Sequence, residues 1–118
     1  MKVVEKKWGR EQWLCLNDKY CFKKITIFAG HRTSLQYHER KIETNFVASG
    51  TAIVSLENDK GEIVDQEVGP GYCVDLLPKQ IHRFAAITEV TLFECSTIEV
   101  DDVVRLQDDY NREGTSNP

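Results

Sequence analysis

Short runs of apolar and β-branched residues recur along this 118-residue chain, and turn-forming residues separate them. No segment of a dozen residues keeps the 3.6-residue apolar period of an amphipathic helix. The pattern therefore predicts an all-β protein with many short strands, typical of an antiparallel sandwich or barrel. The predicted strands cover residues 12–17, 20–28, 35–38, 43–49, 51–57, 62–68, 72–77, 82–87 and 90–98.

The turns and the tail complete this outline. The sequence NDKG between 51–57 and 62–68 is a strong hairpin signal. The acidic tail after residue 99 is expected to hold a helical turn begun by Asp101 or Asp102, with a solvated face. We see no linker or internal repeat, so residues 1–113 are predicted to form one domain, and 114–118 to be a frayed end.

Charge and composition exclude several classes of protein. The net charge of −4 argues against a nucleic-acid binder, which needs a basic face. No apolar run approaches the roughly 20 residues of a membrane span. The first residues contain no apolar core like that of a signal peptide, so we expect a cytoplasmic protein. Its four cysteines form no CxxC pair, which favours reduced, buried, structural thiols.

Candidate chemistry lies in the segment SLQYHERKIE, residues 34–43. Gln36 and His38 are two apart on a predicted strand, so their side chains share a face. Glu43 begins the next strand, and the loop between them can fold it back beside the pair. His82 is a further candidate from GYCVDLLPKQIHRF. The spacing alone is compatible both with a metal site and with ordinary polar residues on a barrel rim.

Two motifs extend these observations to a family. The stretch GHRTSLQYHERKIETNFVASG, residues 30–50, resembles the first cupin motif, and residues 71–82 resemble the second. The chain also resembles, nearly end to end, the C-terminal isomerase cupin of bifunctional mannose-1-phosphate guanylyltransferase/mannose-6-phosphate isomerase. The similar segments are KKWGREQWL, YCFKKITIFAGHRTSLQYH, VASGTAIVSL, IHRF and EVDDVVRLQDDYNR. This family has a histidine-rich loop where the present chain has ERKI.

The resemblance implies a single cupin double-stranded β-helix, a jelly-roll-like antiparallel barrel, with a metal held by Gln36, His38, Glu43 and His82. Two imidazoles, a carboxylate and a neutral amide favour Zn²⁺ and also accept Mn²⁺, Fe²⁺ or Co²⁺. The implied activity is that of a metal-dependent aldose–ketose isomerase of a phosphorylated sugar, mannose 6-phosphate first. Cupins commonly pair through strand edges, so a homodimer is expected.

Four cations are candidates for binding the sugar phosphate. Lys23 shares a strand face with Ile25 and Ile27, so it points into the barrel if they do. Lys23 and a bound hydroxide are also the candidates for the catalytic base. Arg32 and Arg40 flank the ligand motif. Arg83 follows His82 and alternates away from it, so a surface or dimer salt bridge is as well supported as phosphate binding. His31 is expected in an exposed loop.

Two rival functions stay open at this point. His38, Glu43 and His82 form a two-histidine-one-carboxylate set, which can hold Fe(II) in an oxygenase, although Gln36 would crowd the open positions. The protein could instead be a sugar-binding cupin that kept the barrel without the chemistry. The replaced ERKI loop favours this second rival.

Overall fold

A computed structural model describes residues 1–114 of the chain, and strands dominate it. No helix occurs among the described residues, as the hydrophobic pattern predicts. The eleven strands are β1 (Lys2–Lys6), β2 (Gly9–Leu16), β3 (Cys21–Ile27), β4 (Leu35–His38), β5 (Glu43–Ser49), β6 (Ala52–Glu57), β7 (Ile63–Val68), β8 (Cys73–Leu76), β9 (His82–Ala86), β10 (Val90–Ser96) and β11 (Val103–Gln107).

The strands form two antiparallel sheets that face each other. The first sheet has the order β1-β2-β3-β10-β5-β8, and the second has the order β11-β4-β9-β6-β7. Because neighbours in each sheet are mostly distant in sequence, the barrel closes through long-range pairs such as β3 with β10. The core between the sheets is built of buried apolar side chains, among them Trp8, Ile27, Val47, Val54, Phe84 and Leu92.

Alternation along β3 shows how the sequence sets the interior. Cys21, Lys23, Ile25 and Ile27 are all buried, and the residues between them are less so except for Thr26. Successive side chains of a strand point to opposite faces, so this series faces the opposite sheet. The expectation that the isoleucines carry Lys23 inward is therefore confirmed.

Both ends of the chain differ from the prediction. The segment 2–6 was not predicted as a strand, yet it pairs with β2 along its whole length. The expected helical turn at Asp101 or Asp102 is wrong, because the tail continues as β11, which pairs with β4. The backbone hydrogen bonds of that partner outweigh the weak local preference of the acidic residues for a helix start. Of the predicted frayed end, residues 115–118 lie outside the described part.

The four cysteines are free, but they are not all buried as expected. Cys21 is buried in the core, whereas Cys73 and Cys95 are exposed. Cys95 lies on the outer face of β10, between the buried Glu94 and Ser96. Separately, none of the described residues belongs to a helix long and apolar enough to cross a membrane. The cytoplasmic location stays a prediction.

Two turns with left-handed residues adjoin strands that carry the candidate ligands, one after β5 and one before β9. Gly50 follows β5 with φ of +89°, and a Cβ there would lie 2.1 Å from the carbonyl oxygen of Glu89. Lys79, with φ of +67°, adopts the left-handed conformation that glycine favours. Its N–H donates to the carbonyl oxygen of His38 at 2.6 Å, which ties the turn before β9 to the end of β4.

Candidate metal centre

A cavity of about 330 Å³ lies between the sheets, at one end of the apolar core. Its wall combines eight apolar side chains with fourteen polar or charged ones. The polar and charged residues of the wall include Lys2, Lys6, Glu11, Lys23, Gln36, His38, Lys41, Glu43, Asn45, His82, Glu94 and Arg105. A cavity of this size accommodates a small organic ligand.

Three buried side chains from three strands converge on one point of the cavity. His38 ends β4, Glu43 begins β5 and His82 begins β9. The Nε2 atom of His82 lies 3.5 Å from Glu43 Oε1, and the Nε2 atom of His38 lies 3.9 Å from Glu43 Oε2. One donor atom from each residue lies within 4.8 Å of the others, so this cluster could hold a metal ion.

The Nδ1 atom of each imidazole, on the side of the ring away from Glu43, lies within hydrogen-bond distance of an oxygen acceptor. His38 Nδ1 lies 3.1 Å from Asp102 Oδ1, and His82 Nδ1 lies 3.0 Å from the carbonyl oxygen of Gln80. A proton on Nδ1 satisfies each acceptor and leaves the Nε2 lone pair directed at Glu43. Oxygen acceptors behind metal-bound histidines fix the tautomer and orientation in this way.

Asp102 also organises the loop between β4 and β5. Its Oδ2 accepts hydrogen bonds from the backbone N–H groups of Arg40, at 2.7 Å, and Lys41, at 3.1 Å. Burial raises the pKa of Asp102, but these backbone bonds and His38 outweigh it and lower the pKa below its usual value. The carboxylate therefore stays ionised and holds both the loop and the histidine.

The protonation states of His38 and Glu43 favour binding of a metal cation. Burial lowers the pKa of His38 to about 4, assisted by the charge of Lys41, so its imidazole is neutral at neutral pH. Burial by itself would raise the pKa of Glu43, but Lys41 and His82 outweigh it and lower that pKa. The site therefore offers a neutral imidazole from His38 and an ionised carboxylate from Glu43, the forms in which these residues bind metals.

A buried ion triad adjoins the cluster. Lys41 Nζ lies 2.9 Å from both Glu43 Oε2 and Glu94 Oε2. Burial would lower the pKa of Lys41, but Glu94 and Glu43 outweigh it and raise the pKa. One ammonium faces two carboxylates, so the triad carries a net negative charge. Glu43 Oε2 is buried, and within residues 1–114 its contact is the ion pair with Lys41, with no well-aligned hydrogen bond. This oxygen can therefore bind a further cation.

Gln36 lies beside the cluster, as its spacing predicts. It pairs with His82 in the register of β4 and β9, and its Nε2 lies 3.5 Å from Nε2 of His38. Its Oε1 accepts a hydrogen bond from Ser34 Oγ at 2.6 Å. Since the hydroxyl can also accept, a half-turn of the amide would direct Oε1 at the cluster and keep that contact. The role of Gln36 as a ligand stays a prediction.

The other predicted site residues separate into two groups. Lys23 lines the cavity and is 5% exposed. The three arginines lie outside it. Arg32 forms an exposed bidentate pair with Asp109, at 2.9 Å for each bond. Arg83 is buried and donates to the carbonyl oxygen of Thr33 at 2.8 Å, so it is not at the surface, where one of its two predicted roles, a salt bridge, would place it.

Arg40 is exposed, and its described contact with the site is the backbone bond to Asp102. His31 is less exposed than expected, because its Nδ1 lies 2.7 Å from the hydroxyl of Tyr110. Neither residue lines the cavity as the structure describes it.

Several charged residues of the site were missed by the sequence analysis. Lys41 lies two residues before Glu43, so extending the alternation of β5 backwards would have placed it on the inner face. Lys6 and Arg105 lie on the strands that the pattern did not predict. Asp102 is 64 residues from His38 in the chain, and no local signal connects them.

Asp102→Asn is expected to weaken metal binding by roughly 10–100-fold, the usual effect of losing a carboxylate behind a metal-bound histidine. The variant keeps the size of the side chain but loses its charge. Competition with a chromophoric chelator would measure the affinity. Asp59→Asn, at an exposed position in the turn after β6 and outside the cavity, is the matched control and should leave the affinity unchanged. Equal affinities in the two variants would contradict the role of Asp102.

Two antiparallel sheets enclosing a polar cavity with a His-Glu-His cluster define the cupin class of proteins. A solved RmlC-like cupin from Shewanella frigidimarina NCIMB 400 has a similar fold, with a TM-score of 0.71 and 18% sequence identity. The similarity covers 82% of this chain and 83% of that one. The predicted cupin fold is thus confirmed.

Residues 1–108 match the family described as mannose-6-phosphate isomerase C-terminal, and the chain belongs to this family. Mannose-1-phosphate guanylyltransferase of Escherichia coli K12 is 30% identical over 116 residues, 94% of this chain and 23% of that protein. Alginate biosynthesis protein AlgA of Pseudomonas aeruginosa PAO1 is 30% identical over 117 residues, 92% of this chain and 23% of that protein. The chain therefore spans about a quarter of the length of these curated relatives.

Proposed function

We propose that this cupin is a metal-dependent aldose–ketose isomerase of a phosphorylated sugar, with mannose 6-phosphate as the first candidate substrate. The observation that carries the proposal is one cavity that contains both the cluster of His38, Glu43 and His82 and the buried cation Lys23. Membership of the mannose-6-phosphate isomerase C-terminal family supports the choice of reaction.

The residues of the cavity fit the needs of this reaction. His38, Glu43 and His82 would hold the ion, with Gln36 beside them, and the donor set favours Zn²⁺. A bound divalent ion supplies Lewis acidity toward the oxygens of the opened sugar. Lys23, which is 5% exposed, offers a cation for the phosphate.

The position of Gln36 bears on the oxygenase alternative. An Fe(II) oxygenase needs open positions opposite its two histidines and carboxylate. Gln36 lies directly beside that set, 3.5 Å from the His38 ring nitrogen. This contact favours the isomerase over the oxygenase, whereas a sugar-binding cupin without turnover would share every feature of the cavity.

The proposal is tested by incubating the metal-loaded protein with mannose 6-phosphate under nitrogen and following the products by NMR. We expect fructose 6-phosphate to form without oxygen, and to stop forming after treatment with a chelator. Product that appears only in air would identify an oxygenase. Saturable binding without conversion, for mannose 6-phosphate and a small panel of other aldose phosphates, would identify a binding protein and overturn the proposal.

A homodimer is the proposed assembly, since the edge strands of both sheets leave backbone groups to be paired. In the first sheet β1 and β8 are at the edges, and in the second β11 and β7. Light scattering at micromolar concentration is expected to give twice the mass of the chain. A monomeric mass would remove the dimer and leave the site proposal intact.

A further inference from the structure

The ammonium group of Lys41 is directed unequally at its two carboxylates. Its Nζ atom lies 2.9 Å from Glu43 Oε2 and 2.9 Å from Glu94 Oε2. Lys41 donates a well-aligned hydrogen bond to Glu94, whereas Glu43 Oε2 accepts no such bond in the described part of the chain. Because the two distances are equal, the difference lies in the angle. Glu43 Oε2 therefore keeps a lone pair that Lys41 does not use, although the ammonium group is beside it.

Burial makes the position of this ammonium group important for the charge of the site. Lys41, Glu43 and Glu94 are 4%, 4% and 6% exposed, so little water screens them. Charges interact more strongly in such a place than at the surface of a protein. One ammonium and two carboxylates give the triad a net charge of −1, and the division of the ammonium between the carboxylates decides how much of that charge Glu43 can offer to an ion.

Glu94 reaches the triad from β10, a strand that carries none of the candidate ligands. It pairs with Asn45 across β10 and β5, and the amide of Asn45 lies 3.4 Å from Glu43 Oε1. The group of described side chains that could hold an ion contains Glu43 and the two imidazoles, but not Glu94. Glu94 therefore acts on the cluster through Lys41, and not as a donor atom.

A metal ion at the cluster and the ammonium of Lys41 compete for one carboxylate. Both oxygens of Glu43 face imidazole nitrogens, Oε1 that of His82 at 3.5 Å and Oε2 that of His38 at 3.9 Å. Two cations on one buried carboxylate repel each other, and a buried cation without a partner is costly. A second carboxylate that already accepts a hydrogen bond from the ammonium removes this conflict.

We infer that Glu94 is a positioning residue of the metal centre, which holds the ammonium of Lys41 so that Glu43 can bind a divalent ion. Glu94 does not touch the ion. Asp102 assists by accepting the backbone N–H of Lys41 at 3.1 Å, which fixes the start of the lysine side chain. The inference rests on the metal centre of the proposed function, and it does not depend on the isomerase reaction.

Titration of the Glu94→Gln variant with Zn²⁺ tests this role. The variant keeps the size of the side chain and leaves Lys41 paired with Glu43 alone. That pair is balanced, so the fold should be kept, which circular dichroism verifies. We expect the affinity for Zn²⁺, measured by competition with a chromophoric chelator, to fall by roughly 10–100-fold, the usual effect of losing a group behind a metal ligand. Glu67→Gln, at an exposed position of β7 outside the cavity, is the matched control and should leave the affinity unchanged.

The double variant Lys41→Met/Glu94→Gln tests the same role with the opposite sign. It also removes the ammonium, so the net charge of the three positions returns to −1 and Glu43 has no competitor. The affinity for Zn²⁺ should therefore rise from that of Glu94→Gln to near the native value. A purely structural ion cluster predicts the reverse, because a second substitution in it would add to the damage of the first.

The absorption spectrum of bound Co²⁺ separates positioning from direct ligation. At a Co²⁺ concentration that saturates both proteins, Glu94→Gln should give the same band positions as the native protein, since the donor atoms are unchanged. Shifted bands would identify Glu94 as a ligand and overturn its role as a positioning residue.

The outcomes keep this inference separate from the proposed function. Unchanged Zn²⁺ affinity in Glu94→Gln, or no recovery in the double variant, would overturn the role of Glu94, and loss of metal in His82→Ala would still support the centre. A native protein that binds no Zn²⁺ would overturn both. The expected order of affinities without any isomerisation would support the role of Glu94 and overturn only the isomerase.

Discussion

His38→Ala and His82→Ala are each expected to remove most of the divalent metal from the protein. Each imidazole contributes one of the donor atoms that converge within 4.8 Å. The affinity for the metal should fall by more than roughly 10–100-fold, because that loss is typical of removing a residue that hydrogen-bonds to a ligand, and here the ligand itself is removed. Elemental analysis of protein purified without a metal-affinity tag, with close to one ion per native chain, measures the effect.

His31→Ala is the matched control for these two variants. His31 bonds to Tyr110 outside the cavity, so its loss should leave the metal content unchanged. Metal should also stabilise the native protein, by about 2.7 kcal/mol at a hundredfold excess over Kd, and this gain should shrink in the two ligand variants. Equal metal content in all three variants would contradict the proposed centre.

Lys41→Met is expected to destabilise the metal-free protein by about 3–5 kcal/mol. Removing one partner of a buried ion pair leaves an uncompensated buried charge, and here two carboxylates lose their shared ammonium. Lys41 is 4% exposed, so water cannot replace the lost contacts without entering the barrel. Denaturant unfolding measured by circular dichroism would give the change in the free energy of unfolding.

The double variant Lys41→Met/Glu94→Gln gives the matched comparison. It removes one charge of each sign, so it should be more stable than Lys41→Met alone. Lys79→Met, an exposed lysine, should change the free energy of unfolding by less than about 0.5 kcal/mol. If Lys41→Met is no more destabilising than Lys79→Met, the buried triad does not stabilise the site.

The fold could be predicted from the sequence because two-residue alternation and turn signals are local features of the chain. The strands from β2 to β10 lie close to their predicted positions, and alternation correctly placed Lys23 inside. Edge strands were harder to predict. In β1 the residues that line the cavity are Lys2, Val4 and Lys6, so its inner face lacks the apolar alternation that identifies a strand.

The candidate metal cluster could be predicted for the same reason, since spacing places Gln36 and His38 on one face. The residues that surround the cluster could not be predicted. Asp102 meets His38 only because β11 pairs with β4, a contact between distant parts of the chain. The position of an arginine beside a ligand in sequence did not predict a contact in space, because Arg32 and Arg83 turn to Asp109 and to backbone carbonyls.

Proton transfer between neighbouring carbons of an aldose phosphate is the central claim, and deuterium exchange measures it directly. Metal-loaded protein is incubated anaerobically with mannose 6-phosphate in deuterium oxide and followed by NMR. We predict that ketose forms, or that deuterium enters at C2 of the sugar, and that His82→Ala abolishes both. If neither occurs with mannose 6-phosphate or a small panel of aldose phosphates, the protein is not the proposed isomerase.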